Sequence, residues 1–199
     1  MLTSPWRWLL IGLVMFGAWQ HWRDRPVTLP PGSVAPNEPV QISLEQGQVY
    51  HQGNYELKAL ANFTIEARVL SKEIYRADRE SELAPVDLAL GWGAMSDSAV
   101  LEKLAISQGG RFYYYRWAEE PPRPPNEIAT HSANMHLVPT SPALVDKIKA
   151  VRVGQVVHIS GQLVEARAAD GWRWRSSLTR EDTGAGACEL IRVESLEIR

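Results

Sequence analysis

The sequence reads as a β-rich α+β fold, a small curved β-barrel or sheet with two short helices, behind an N-terminal transmembrane helix. Three observations predict this. An uncharged apolar run lies near the N-terminus, a proline-rich stretch follows it, and beyond residue 42 apolar residues alternate with polar ones far more often than they recur at helical spacing. The implied organisation is a membrane anchor over residues 1–24, a linker over 25–41 and one globular domain over 42–199. The 45% apolar and 22% charged composition is that of a folded chain.

The anchor rests on Trp8–Trp19, WLLIGLVMFGAW, which carries no charge. Twelve helical residues span roughly 18 Å, short of a hydrocarbon core of roughly 30 Å. Extending the helix over residues 4–22 requires Arg7 to snorkel toward the headgroups. Trp6, Trp8, Trp19 and Trp22 flank the run as interfacial aromatics do. A cleaved signal peptide fits less well, because Phe16-Gly17-Ala18 places a bulky residue where a small one is needed. A buried apolar helix is the third reading. Arg7 on one side and Arg23 and Arg25 on the other nearly balance, and a tail this short translocates or stays easily; the expectation is a single-pass protein of the bacterial inner membrane with a periplasmic domain. The linker holds Pro26, Pro30, Pro31, Pro36 and Pro39, a stiff extended spacer.

Within the domain, Phe63, Ile65, Ala67 and Val69 alternate as one face of a strand over 63–70. Arg111–Trp117 reads as a strand with aromatics on both faces, and Ile128–Val138 as a weaker one interrupted near Ser132-Ala133-Asn134. Val156–Ala166 is a strong strand with a bend or bulge at Gly161. Ala169-Asp170-Gly171 turns the chain into Gly171–Leu178, and Cys188–Ile198 closes it. The helices are Ser98–Ile106, capped by Ser96 or Asp97, and Ala143–Val151, capped by Ser141 ahead of Pro142. The glycine-bent strand, hairpin and final strand are analogous to a small OB-type barrel, a likeness that carries no function.

A net charge of −2 gives no basic footprint, so no nucleic acid is expected as a partner. A single-strand-binding OB-type domain remains a third functional hypothesis, which the acidic pI opposes. The single cysteine, Cys188, excludes an internal disulfide, a cysteine-rich zinc site and lipidation after the apolar run.

The chemical candidates are weak. His131 and His136, five apart, point to opposite faces of a strand, and only a loop would bring them to Asp87 or Glu189. No metal and no cofactor is expected. Cys188 opens a strand with no helix behind it, so it reads as a small buried residue rather than a nucleophile. Asp182-Thr183-Gly184-Ala185 matches the string around the catalytic aspartate of retroviral-type aspartic proteases, but Arg180-Glu181 precede it where those proteases have an apolar strand. Tyr113, Tyr115 and Trp117 share one strand face, and Trp172 and Trp174 another; they either fill the core or stack on a ligand. Arg173 and Arg175 have Glu181 and Asp182 as nearby carboxylates for an ion-pair network. The stiff loop Pro121-Pro122-Arg123-Pro124-Pro125 is a candidate surface for a protein partner.

ALGWGAMSD (Ala89–Asp97), SANMHLVP (Ser132–Pro139) and WRWRSSLTREDTGAGACEL (Trp172–Leu190) resemble strings in a group of small uncharacterised proteobacterial proteins with an N-terminal membrane segment. The resemblance covers most of the chain after the linker and implies a bacterial origin. The leading expectation is a membrane-anchored, non-enzymatic interaction or assembly domain of the cell envelope. The alternative is an envelope hydrolase or small-ligand enzyme using His131 and His136 with Asp87 or Cys188.

Overall fold

The computed structural model describes residues 5–23, 25–179 and 188–199. An N-terminal helix, α1 (Pro5–Arg23), carries the apolar run with Trp6 through Trp19 exposed. No helix among the described residues is long and apolar enough to cross a membrane. Arg7 in the first turn and Gln20, His21 and Arg23 in the last interrupt apolar character at both ends.

The body is an eight-stranded mixed sheet. Its strands are β1 (Val40–Ser43), β2 (Val49–Gln52), β3 (Tyr55–Ile74), β4 (Val86–Gly91), β7 (Ser132–Pro139), β8 (Val156–Ala168), β9 (Arg173–Arg175) and β10 (Glu189–Ile198). A separate hairpin joins β5 (Ala105–Gly109) to β6 (Phe112–Arg116). The long β3 explains the sheet's shape. Its residues 55–68 pair with β8 and its residues 68–74 with β4. Then β4 pairs with β7, β7 lies parallel to β10, and β10 pairs with β8, so the pairings return to β3. β1, β2 and β9 add edges outside this circuit, so the sheet doubles back on itself without being a simple closed barrel.

The alternation read over 63–70 is real: Phe63, Ile65, Ala67 and Val69 are all buried in the main core with Leu88, Leu137, Ile159 and Ile191. Gly161 marks a close approach rather than a bulge of its own strand. A Cβ there would lie 2.1 Å from the Arg192 carbonyl oxygen on the neighbouring β10.

Two sequence expectations change. The helix expected over 98–106 stops after one turn, α2 (Ser98–Leu101), whose start Asp97 caps by accepting from the Ala99 N–H. Residues 105–109 form β5 instead, because Gly110 (φ 59°) and Arg111 (φ 69°) fold back as a two-residue hairpin turn with both φ positive. The weak strand over 128–138 is a short helix, α3 (Pro125–Thr130), followed by β7. Pro125 presets the first helical φ, and the strand takes over at Ser132. By contrast α4 (Pro142–Ala150) forms as read, with the Ser141 hydroxyl accepting from Leu144 N–H.

The proline-rich segment lies along the domain. Val27 N–H donates to Val153 O, Gly32 N–H to Asp97 Oδ1, and Ala35 is fully buried. The chain therefore enters the domain beside the start of β8.

Candidate functional site

The polar residues of greatest chemical interest meet beneath the β5–β6 hairpin. The outer faces of β4 and β7 carry Asp87, Asn134 and His136, all buried. The hairpin covers them, and its turn places Arg111 at the centre. Arg111 donates from Nη1 to Asp87 Oδ1 (2.8 Å) and Ala84 O (2.8 Å), and from Nε and Nη2 to the two oxygens of Asp78 (2.7 and 3.0 Å). Its guanidinium also lies 3.8 Å from the Tyr75 ring centroid, and the Tyr75 hydroxyl accepts from its backbone N–H. Arg111 in turn holds the Asp78 carboxyl below the usual carboxylate range. Burial works against the Arg111 charge, yet the two carboxylates raise its pKa.

Asp87 is 0% exposed and meets a second partner: His136 Nδ1 lies 2.9 Å from Oδ2, although the ring N–H is not aligned for a hydrogen bond. Asn134 Nδ2 donates to Arg111 O (2.9 Å) and to Asp87 Oδ2 (3.3 Å), and Gln108 closes the layer by donating to Asn134 Oδ1. The Cys188 thiol donates to Arg111 O at 3.9 Å. Burial, with Asp87 and Glu189 adding, pushes this thiol up to about 11, far from thiolate chemistry at neutral pH.

The two histidines do not converge. His136 sits opposite Asp87, whereas His131 caps the end of α3 beyond Ser132, roughly 16 Å further along at strand spacing. His131 Nε2 is 3.1 Å from Glu38, beside Trp92. Glu189, also buried, opens β10 opposite Met135. Among the described residues no group of histidine, cysteine and carboxylates could hold a metal ion.

Tyr113, Tyr115 and Trp117 pack partly buried against Leu70, Met95 and Ile128, with Tyr113 hydrogen-bonded to Ser132. Trp172 and Trp174 pack partly buried on a second core of Tyr55, Leu57, Val164 and Leu190. Arg79 caps this group from 4.9 Å above Trp172, and His136 lies 4.7 Å from Trp174. The opposite face of β9 carries Arg173 and Arg175. Their carboxylate is Glu165 of β8, which also takes Arg167. Glu181, Asp182 and the Asp-Thr-Gly-Ala string lie outside the described residues.

The proline loop runs into α3. Pro121 and Pro122 are half-buried, whereas Arg123, Pro124 and Pro125 are exposed. Arg123 forms a two-pronged pair with Glu127, which pins the loop to the helix.

Arg111 and Asp78 were missed by sequence reading. The available signal was Gly109-Gly110 before an aromatic strand, a hairpin turn whose next residue must tolerate a left-handed backbone. No protein-family model, curated protein or solved structure matches the chain.

Proposed function

We propose that the chain is a membrane-attached, non-enzymatic interaction or assembly domain of the bacterial cell envelope, docking a protein partner through the Pro121–Pro125 segment. The observation that carries this reading is the presentation of that segment. Four prolines limit its backbone freedom, Arg123–Glu127 ties it to α3, and the tip is exposed. A preordered segment loses little entropy on docking. Attachment at residues 4–22 is supported by a contiguous exposed apolar run from Leu9 to Phe16 between flanking tryptophans. The finer fold reading is OB-type. The circuit β3-β4-β7-β10-β8 with α4 between β7 and β8 supports it, as does the parallel β7–β10 pair.

Pull-down of the detergent-extracted chain tests the proposal. A partner retained by the native chain and lost when Pro121, Pro122, Pro124 and Pro125 are exchanged for serine supports it. Recovery of the chain alone in both cases overturns it. Carbonate washing of membranes tests attachment: release of the protein into the wash removes the anchor.

A further inference from the structure

Glu165 is a buried carboxylate, 1% exposed, with three arginines around it. Arg173 and Arg175 share its Oε2 at 2.6 Å each, and Arg167 takes Oε1. The arginines themselves remain 45–55% exposed. Strand register extends the patch. Lys58 of β3 lies opposite Glu165, and Glu56 opposite Arg167, both exposed. Four cations against two carboxylates leave a net of two positive charges on one face of β3, β8 and β9, in a chain whose formal net charge is −2. One carboxylate satisfies only part of three guanidiniums, each with five N–H donors, so most of those donors face outward.

The backbone of β9 adds a second kind of donor. Among the described residues β9 pairs only with β8. Ala168 N–H donates to Trp172 O and Ser176 N–H to Val164 O, so the even-numbered residues face β8. By antiparallel alternation Arg173 and Arg175 direct their N–H and C=O groups to the open edge. An open strand edge beneath a cationic face matches an extended acidic peptide, which can pair its backbone with the edge while its carboxylates meet the guanidiniums.

We infer that the β9 edge, with Arg167, Arg173 and Arg175, docks an extended acidic segment of the partner protein. This deepens the interaction-domain reading and rests on it. A nucleic acid offers no backbone to pair with the edge, and the chain's overall negative charge opposes it. The bilayer that would hold α1 is also disfavoured. The chain enters the domain at Val27, hydrogen-bonded to Val153, and Glu165 lies roughly 30 Å further along β8 at strand spacing.

The test uses the full chain in non-ionic detergent and a short capped peptide alternating threonine with glutamate. Oligothymidylate and inorganic phosphate serve as rival probes. The peptide is expected to bind with steep salt dependence and to protect the Arg173 and Arg175 amides from hydrogen exchange. R173Q/R175Q is expected to lower its affinity roughly tenfold to a hundredfold. N-methylation of alternate peptide amides is expected to abolish binding. Equal or tighter binding of oligothymidylate or phosphate would overturn the inference, as would binding indifferent to N-methylation. Should the double variant fail to fold, exchange on the native chain decides, and unprotected Arg173 and Arg175 amides refute the docking edge. A partner still captured from extracts by folded R173Q/R175Q overturns this inference and leaves the interaction-domain reading standing.

Discussion

Replacing Arg111 separates two effects that share one residue. Its side chain neutralises Asp87, which has no exposure, and its backbone holds φ at 69°, a conformation costly for any residue with a Cβ. Arg111→Ala strands a buried carboxylate, a change that destabilises by about 3–5 kcal/mol. At about 2–4 °C per kcal/mol for a domain of this size, Tm should fall by roughly 6–20 °C. Arg111→Gly removes the same charge but relieves the left-handed strain, so it should be more stable than the alanine variant by about 1 kcal/mol. That order reverses the one expected in a strand or helix. The combined exchange Arg111→Met with Asp87→Leu should destabilise by less than the sum of the single exchanges, with a coupling of about 1–3 kcal/mol. Urea titration of the full chain, followed by tryptophan fluorescence, measures all five variants, the two single exchanges of the pair included. An alanine loss below about 1 kcal/mol, or a glycine variant no better than alanine, would refute the assignment of Arg111 as the buried hub.

Other expectations follow from single contacts. Gly161→Ala pushes a methyl to 2.1 Å from Arg192 O, and because backbone must move, urea melts should show a loss of about 3 kcal/mol. For Glu165, burial favours the neutral acid, but three guanidiniums bring its pKa down from 4.5 to about 2. A depressed folded pKa places the stabilisation above pH 4.5 and removes it as pH falls toward 2. Stability measured across that interval should therefore decline less steeply in Glu165→Gln; identical slopes would contradict the pairing. With its thiol near 11, Cys188 should react with iodoacetamide at neutral pH roughly a hundredfold more slowly than a free cysteine, as thiol-trapping mass spectrometry would record.

How much of this was legible depended on whether a strand has one buried face or two. β3 has a clean alternation through Tyr55, Leu57, Ala59, then Phe63, Ile65 and Ala67, and its core face could be read directly. β4 could not, since every residue from Val86 to Gly91 is buried. Val86, Leu88 and Leu90 enter the core while Asp87 and Ala89 lie under other elements, and a run buried on both sides has no period to detect. The α4 cap was legible because Ser141-Pro142 acts locally. The hairpin was lost to a helical reading because Val100, Leu101 and Leu104 fall at helical spacing behind a capping Asp97, and the decisive signal was backbone permissiveness at Gly110. For the site, Asp87 and His136 were named from composition. Their true companion Arg111 was not, because its contact with Asp87 joins residues 24 positions apart across a turn that had not been recognised.

The double allegiance of β3 bears on how the chain acquires its structure. Tyr55 pairs with Ala168 and Arg68 with Val156, so the strand's principal neighbour is synthesised about a hundred residues later. At roughly 5–20 residues per second, that leaves an interval of about 5–20 seconds in which Phe63, Ile65 and Val69 have emerged without the strand that shields them. Folding of this domain is thus governed by its final third. A truncation ahead of β8 would yield an adhesive intermediate rather than a smaller stable unit.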